Sequence, residues 1–357
     1  MNLQPYIEPP FRILCQSSKK KLLPANYIAI VGDSYAEGGG DWLTGLDHWR
    51  NPPFHSAHLI NKSTGRDVIS FADNGSGSLD SVIAIDYTIK GIRKRFALDD
   101  PKIILMYFYE GNDIGDNILA LMFDENRFKI KNLKNENLTK KKFEYCLETE
   151  IRKDVAVVTP YLVSAKFYLG LLYNAIDKIS YKVNHIYSKP SYQEPKIVLI
   201  NTAVIDKQII HLPELQGPAL EFQKEEIDDA IQVFEYSIES LHEKFPNSKI
   251  VTVYIPSVLS CYSFKGNVFI ETSCPNCKFH DFSYPQDMVL KRSDEIVRRI
   301  QNVCKEQNIK FLDSRSYMRQ AALRGPIHGP NDWGHFNKYG YTKFSEYITL
   351  FLQKEEL

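Results

Sequence analysis

Residues 102–109 read KIILMYFY, an apolar run with one charge at its edge, and the run stops at Glu110-Gly111. A continuous apolar stretch rich in branched and aromatic side chains and closed by a turn predicts a strand buried on both faces. That is the condition of a strand in a parallel sheet covered on both sides. The pattern recurs along the chain. Residues 27–31 (YIAIV) end at Gly32, and residues 67–72 (DVISFA) end in Asp73-Asn74-Gly75-Ser76-Gly77. Residues 250–255 (IVTVYI) end at Pro256, and residues 309–313 (IKFLD) make a short fifth run.

Between these runs the apolar period changes from continuous to helical. Residues 79–96 place Val82, Ile83, Ile85, Ile89 and Ile92 on one stripe, and residues 221–245, 293–306 and 339–353 also read as helices. Strands alternating with crossover helices predict an α/β fold: a three-layer α/β/α sandwich around a central, mostly parallel sheet of about five strands. The pattern breaks over residues 117–217, where residues 129–142 are polar and Lys/Asn-rich and residues 181–195 are rich in Tyr, Ser and Pro. This block is expected to be an insertion or cap on a single domain spanning residues 1–357, with residues 1–24 as a lead-in. A chain of 357 residues can bury about three quarters of its unfolded surface in one core, so neither metal nor disulfide is needed for stability.

Composition narrows the function classes. Hydrophobic residues make up 43% and charged residues 25%, which excludes a disordered or fibrous chain. The 44 Lys+Arg and 44 Asp+Glu cancel, and a nucleic-acid binder relying on counterion release needs a basic surplus, so no nucleic-acid partner is expected. The 12% aromatic content fits a sugar-binding cleft, but a Tyr-rich core explains it more simply. No segment has the signal-peptide pattern, and the most apolar stretches, residues 155–165 and 167–176, are split by Lys166. They fall short of the roughly 20 residues a membrane span requires. The chain therefore reads as soluble as given, although an anchor removed from ahead of the Pro-rich lead-in is compatible with it. Six cysteines are too few and too scattered for a disulfide scaffold. Within a loop over residues 261–287, Cys261, Cys274, Cys277 and His280 offer a structural zinc its ligand types, a local disulfide fits the same thiols, and free thiols fit as well.

In an open parallel sheet, sites form beyond the carboxyl ends of the strands, and three strand ends here carry candidate chemistry. The first is Gly32-Asp33-Ser34, where a serine opening a helix presents its hydroxyl and backbone N–H together, though it reads equally as a helix cap. The second is Asn74-Gly75-Ser76-Gly77, whose glycines let a backbone approach a ligand or simply make a turn. The third is Gly111-Asn112-Asp113, whose amide can donate to a developing oxyanion. Near the C-terminus, Asp332 precedes His335 by three residues, a spacing at which a carboxylate can reach and orient an imidazole. Solvated loop residues ahead of a capping Asn337, or metal ligation by His328, Asp332 and His335, are the competing readings.

In this order the four blocks resemble the SGNH (GDSL-type) hydrolase superfamily, with Ser34, Gly75, Asn112 and His335 as the signature residues and Asp332 beside the histidine. The third block departs from the family's Gly-x-Asn-Asp wording, because Gly111 directly precedes Asn112. The resemblance covers the first third of the chain and its last thirty or so residues. It implies a flavodoxin-like fold and an acyl-enzyme on Ser34, with His335 as general base and Asp332 orienting it. The oxyanion donors it implies are the N–H groups of Ser34 and Gly75 (Gly77 being the other choice) and the Asn112 amide. The mechanism requires no cofactor. The wording Phe108-Tyr109-Glu110-Gly111-Asn112-Asp113 and Asn74-Gly75-Ser76-Gly77-Ser78-Leu79 looks like bacterial members acting around cell-surface polysaccharides. That implies a small acyl ester or an acylated oligo- or polysaccharide as substrate. Removal of an acetyl group, its transfer to a sugar hydroxyl by the same residues, and an inactive carbohydrate-binding protein are the three functions in play. The resemblance favours the cell envelope or periplasm, the lack of a leader in the sequence favours the cytoplasm, and the oligomeric state is not legible.

Overall fold

The computed structural model describes residues 18–20, 23–38, 54–72, 74–93, 97–122, 140, 143–144, 147, 199–271 and 283–357. In chain order the strands and helices begin with β1 (Ile28–Val31), α1 (Ser34–Glu37), α2 (Ser56–Thr64), β2 (Val68–Ser70), α3 (Ser78–Arg93), β3 (Ile103–Tyr109) and α4 (Asp113–Met122). They continue with β4 (Asn201–Ile205), β5 (Gln208–Leu212), α5 (Lys224–Lys244), β6 (Lys249–Ile255), α6 (Val258–Cys261), β7 (Ser263–Phe264) and β8 (Asn267–Phe269). The last are β9 (Ser283–Pro285), α7 (Gln286–Glu306), β10 (Lys310–Asp313), α8 (Arg315–Ala322) and α9 (Lys338–Lys354).

The central sheet has five strands in the order β2-β1-β3-β6-β10, all parallel. Counted along the chain within this sheet, that is the flavodoxin-like order 2-1-3-4-5, which reverses direction between β1 and β3. All seven residues of β3 are buried, because the strand lies at the centre of the sheet with a helix layer on each face. Side chains alternate between the layers. Ile103, Leu105, Tyr107 and Tyr109 join one apolar cluster with Ala57 and Ile60 of α2 and Phe344 and Ile348 of α9. Ile104, Met106 and Phe108 join the other, with Val82 and Ile89 of α3, Phe234 and Ile238 of α5, and Ile296 and Ile300 of α7. Each fully buried side chain of this size contributes about 1.5–3 kcal/mol of transfer free energy, so the two clusters hold the sandwich together. Tyr27, Tyr35, Tyr107, Tyr109, Tyr254 and Tyr341 are among the largest fully buried side chains, so the aromatic surplus goes into the core.

A smaller antiparallel sheet, β5-β4-β7, takes β4 and β5 from the block expected as an insertion and β7 from well outside it. Strand β4 pairs with β5 across a two-residue turn, Asp206-Lys207, in which both residues have positive φ (46° and 63°). Helix α4 also enters that block, running to Met122, and most of residues 123–198 lie outside the described residues. Among the described residues no helix is long and apolar enough to cross a membrane. Of the expected zinc or disulfide set, Cys261 is a free thiol buried in the core cluster, its pKa raised by burial. Cys274, Cys277 and His280 lie outside the described residues.

Candidate active site

The carboxyl ends of β1 and β3 meet the loop that precedes α9. Ser34 is the first residue of α1, and the cap residue Asp33 accepts a 2.9 Å hydrogen bond from Tyr35 N through Oδ1. This consumes one N–H of the first turn and fixes the serine at the mouth of the helix, where the opening N–H groups have no partner within the helix. Ser34 Oγ lies 2.7 Å from Nε2 of His335, and Nδ1 of the same ring lies 2.7 Å from Oδ2 of Asp332. Ser34 is 5% exposed, while the His335 and Asp332 side chains keep 26% and 23% of their surface in solvent, so the histidine and aspartate are open to solvent beside a nearly buried serine.

The proton inventory follows from the partners. A carboxylate can only accept, so Nδ1 carries the ring hydrogen and Nε2 is left to accept from the Ser34 hydroxyl. Burial pulls the His335 pKa down, but the Asp332 hydrogen bond, the Asp332 charge, and the charges of Asp33 and Glu37 outweigh it, and the net shift is upward. At Asp332 burial pushes upward and is outweighed by the hydrogen bond and charge of His335 and by the Gly334 N–H, so its pKa falls. The two shifts describe one stabilised ion pair.

Tyr35, one residue beyond the serine, holds the histidine loop from beneath. Its hydroxyl donates to the Gly334 carbonyl at 2.7 Å, and its ring lies 5.3 Å from the His335 ring and 4.3 Å from that of Tyr109. Sequence reading passed over this residue; its only signal is its place beside the serine. Asp33 accepts a hydrogen bond from the Asn112 side chain, and burial, the largest influence, raises its pKa. Asn112 is thereby tied to the residue next to Ser34, and one N–H of its amide is oriented by a carboxyl group.

The two glycines of the second block differ. Gly75 is exposed at φ +74°, a conformation that favours glycine, with no atom within 4 Å of where a Cβ would stand. Gly77 is buried, its N–H bonded at 3.3 Å to Asp80 Oδ2, and a Cβ there would lie 2.7 Å from Asn117 Oδ1. Asn117 itself accepts from Ser78 N at 2.7 Å and donates to Ala230 O at 3.1 Å, pinning the glycine turn to α4 and α5. It lies at the sequence position where the strand-helix pattern fades, which concealed its role.

Glu110 is a third residue that sequence reading missed. Fully buried beside Gly111, its carboxyl group accepts from Tyr254 Oη (2.8 Å), Ser257 Oγ, Ser260 Oγ and Ser293 Oγ (2.7 Å each). It joins the end of β3 to β6, α6 and α7. His328, a competing metal ligand in the sequence reading, is fully buried and bonded through Nδ1 to Tyr262 Oη at 2.9 Å. Burial presses its pKa down to about 3. Among the described residues no group of three or more His, Cys, Asp or Glu side chains is arranged to hold a metal ion.

No family model matches the chain, and no curated protein matches it. Solved structures do. An extracellular lipase from Streptomyces rimosus is 12% identical, with a TM-score of 0.41, over 91% of this chain and 98% of that one. A family two carbohydrate esterase from Clostridium thermocellum, solved with cellohexaose, is 9% identical with a TM-score of 0.39, over 95% of this chain and 67% of that one. An acetyl xylan esterase from Butyrivibrio proteoclasticus is 9% identical with a TM-score of 0.38, over 95% of this chain and 66% of that one. Strand order and register establish the fold independently of these likenesses. By that order the chain has a three-layer α/β/α fold of flavodoxin-like topology around a parallel five-stranded sheet.

Proposed function

We propose that the chain is a serine ester hydrolase of the SGNH type that removes a short acyl group, acetyl foremost, from a carbohydrate. The observation that carries this reading is the continuous hydrogen-bonded line from Ser34 Oγ through His335 to Asp332, with both links at 2.7 Å. In this reading Nε2 of His335 takes the Ser34 proton as Oγ attacks the ester carbonyl, and Asp332 stabilises the imidazolium that forms. The tetrahedral oxyanion is held by the backbone N–H groups of Ser34 and Gly75 and by the Asn112 amide. The exposed, open setting of Gly75 supports it over Gly77, whose N–H is already engaged by Asp80. Collapse expels the alcohol, protonated by His335, and leaves an acyl-Ser34 ester. Water activated by His335 then releases the acid and restores the serine.

The carbohydrate part rests on the local wording of the second and third blocks. Acyl transfer differs only in that a sugar hydroxyl replaces water in the second half-reaction, so one assay separates the two. The protein is given p-nitrophenyl acetate with and without a hydroxylated oligosaccharide, and products are read by mass spectrometry. Ester hydrolysis lost in Ser34→Ala supports the hydrolase reading, and acetylated sugar as the main product replaces it with a transferase. Equal inactivity of wild type and Ser34→Ala toward esters and acetylated oligosaccharides favours a carbohydrate-binding protein.

A further inference from the structure

The loop that carries Asp332 and His335 is closed at its neck by side chains outside the reacting set. Asn337 N donates to Ile327 O at 3.0 Å, and its Nδ2 reaches Pro326 O and His328 O at 3.0 Å and Gly329 O at 3.2 Å. Its Oδ1 caps α9 by accepting from Gly340 N at 3.0 Å. From the other side comes Tyr262, at the junction of α6 and β7. Its buried hydroxyl oxygen accepts from Ile327 N at 3.0 Å and His328 N at 3.1 Å, and lies 2.9 Å from His328 Nδ1.

Counting protons settles the third contact. Two backbone donors fill both lone pairs of the phenol oxygen, so its one hydrogen is directed at His328 Nδ1, which must accept. The His328 proton then resides on Nε2, a buried atom without a hydrogen-bond partner among the described residues. A charged ring would have to donate from Nδ1 to a hydroxyl that has no free lone pair. The His328 ring also lies 5.0 Å from that of Phe336, the neighbour of His335, and Phe336 packs edge-on at 4.9 Å against Tyr35. The latch therefore reaches the His335 segment through both backbone and ring contacts.

We propose that Tyr262 and His328 are positioning residues: a neutral, Nε2-protonated His328 locked on the Tyr262 hydroxyl fixes the neck of the 327–337 loop, and with it the aim of His335 at Ser34. The effect on turnover rests on the serine hydrolase reading above; the proton placement and its effect on the His335–Asp332 bond do not.

The test uses the full chain with nitrogen-15-labelled histidine. In wild type, NMR is expected to show His328 as the Nε2–H tautomer, neutral from about pH 5 to about pH 8, and a downfield Nδ1 proton on His335 from its bond to Asp332. In Tyr262→Phe that downfield signal is expected to shift or broaden, and kcat to fall about tenfold with KM within about twofold. His328→Asn, which keeps an acceptor near the Nδ1 position, is expected to retain more of kcat than His328→Leu. A charged or Nδ1-protonated His328 in wild type overturns the proposal. So does a Tyr262→Phe protein with an unchanged His335 signal and unchanged kcat, or equal behaviour of the two His328 variants. If the variants do not fold, the wild-type tautomer still decides. If wild type cleaves no ester, the hydrolase reading fails, while the His328 tautomer and the His335 signal in Tyr262→Phe still decide this proposal.

Discussion

His335 Nε2 lies 2.7 Å from Ser34 Oγ although 301 positions separate the two residues in the chain. The sheet makes the meeting possible, because β1 delivers the serine at its carboxyl end and Tyr35, the next residue, grips the Gly334 carbonyl beside the histidine. From that relationship the following outcomes are expected.

In the hydrolase reading, the raised pKa of His335 is expected to set the acid limb of the rate profile. A base must be neutral to take the serine proton, so kcat/KM for an acyl ester is expected to rise with pH through a midpoint above the ordinary imidazole value of about 6.5. Asp332→Asn removes the hydrogen bond and charge that raise it, so the midpoint should move down, while the maximal rate falls by about 10³–10⁴-fold. A pH–rate profile of both proteins checks the direction.

The same pair has a stability signature. His335, raised in the folded state, contributes stability present below its unfolded pKa and lost as pH rises through the folded value. Asp332, depressed, contributes stability present above its unfolded pKa and lost as pH falls through the folded value. The difference in unfolding free energy between wild type and Asp332→Asn is therefore expected to be largest between about pH 4 and about pH 6.5. Urea denaturation across pH measures it.

Asn112 and Asn117 are expected to separate catalysis from stability. Asn112→Ala should lower kcat by about 10²–10³-fold, the loss typical of one oxyanion donor, and stability by no more than the single hydrogen bond it gives Asp33, about 1 kcal/mol. Asn117→Ala leaves the Ser78 N–H and the Ala230 carbonyl without their partner, at about 1–3 kcal/mol for each group, and should lower stability by about 2–4 kcal/mol. Steady-state kinetics and denaturation on both variants decide whether the two amides divide the work in this way.

Glu110→Leu removes the common acceptor of four hydroxyl groups at a fully buried position. A loss of about 3 kcal/mol or more is expected. A thermal or urea midpoint equal to wild type would contradict the role of Glu110 as the hub joining β3, β6, α6 and α7.

The fold was legible wherever burial made the pattern continuous. Residues 102–109 anticipate β3, and the helical stripe over residues 79–96 anticipates α3, because strands covered on both faces and long amphipathic helices leave plain periodicities. The start of α7 was not legible: its first two turns, from Gln286, bury only Val289, so the sequence there reads as polar. The β4–β5 hairpin was hidden for a different reason. Its turn takes positive φ at Asp206 and Lys207, a conformation usually announced by Asn-Gly, and no glycine marks it.

At the site, the short spacing of Asp332 and His335 was readable from the residues themselves, the 301-position pairing of Ser34 with His335 only through the family resemblance, and the other long-range contacts not at all. Asp332 and His335 are three residues apart and meet as the spacing suggests. Glu110 with Ser293, and Tyr262 with His328, meet only after the sheet has closed, 183 and 66 positions apart. Tyrosine and glutamate in such segments carry no local signature of the partners they find.

The most direct test of the central claim is covalent. Wild type, Ser34→Ala and His335→Ala are each treated with a serine-directed fluorophosphonate and examined by intact mass and peptide mapping. One phosphonyl group on the Ser34 peptide of wild type, none on Ser34→Ala and much slower labelling of His335→Ala is the expected result. Absence of label in folded wild type, or label on another residue that survives Ser34→Ala, would contradict Ser34 as the nucleophile.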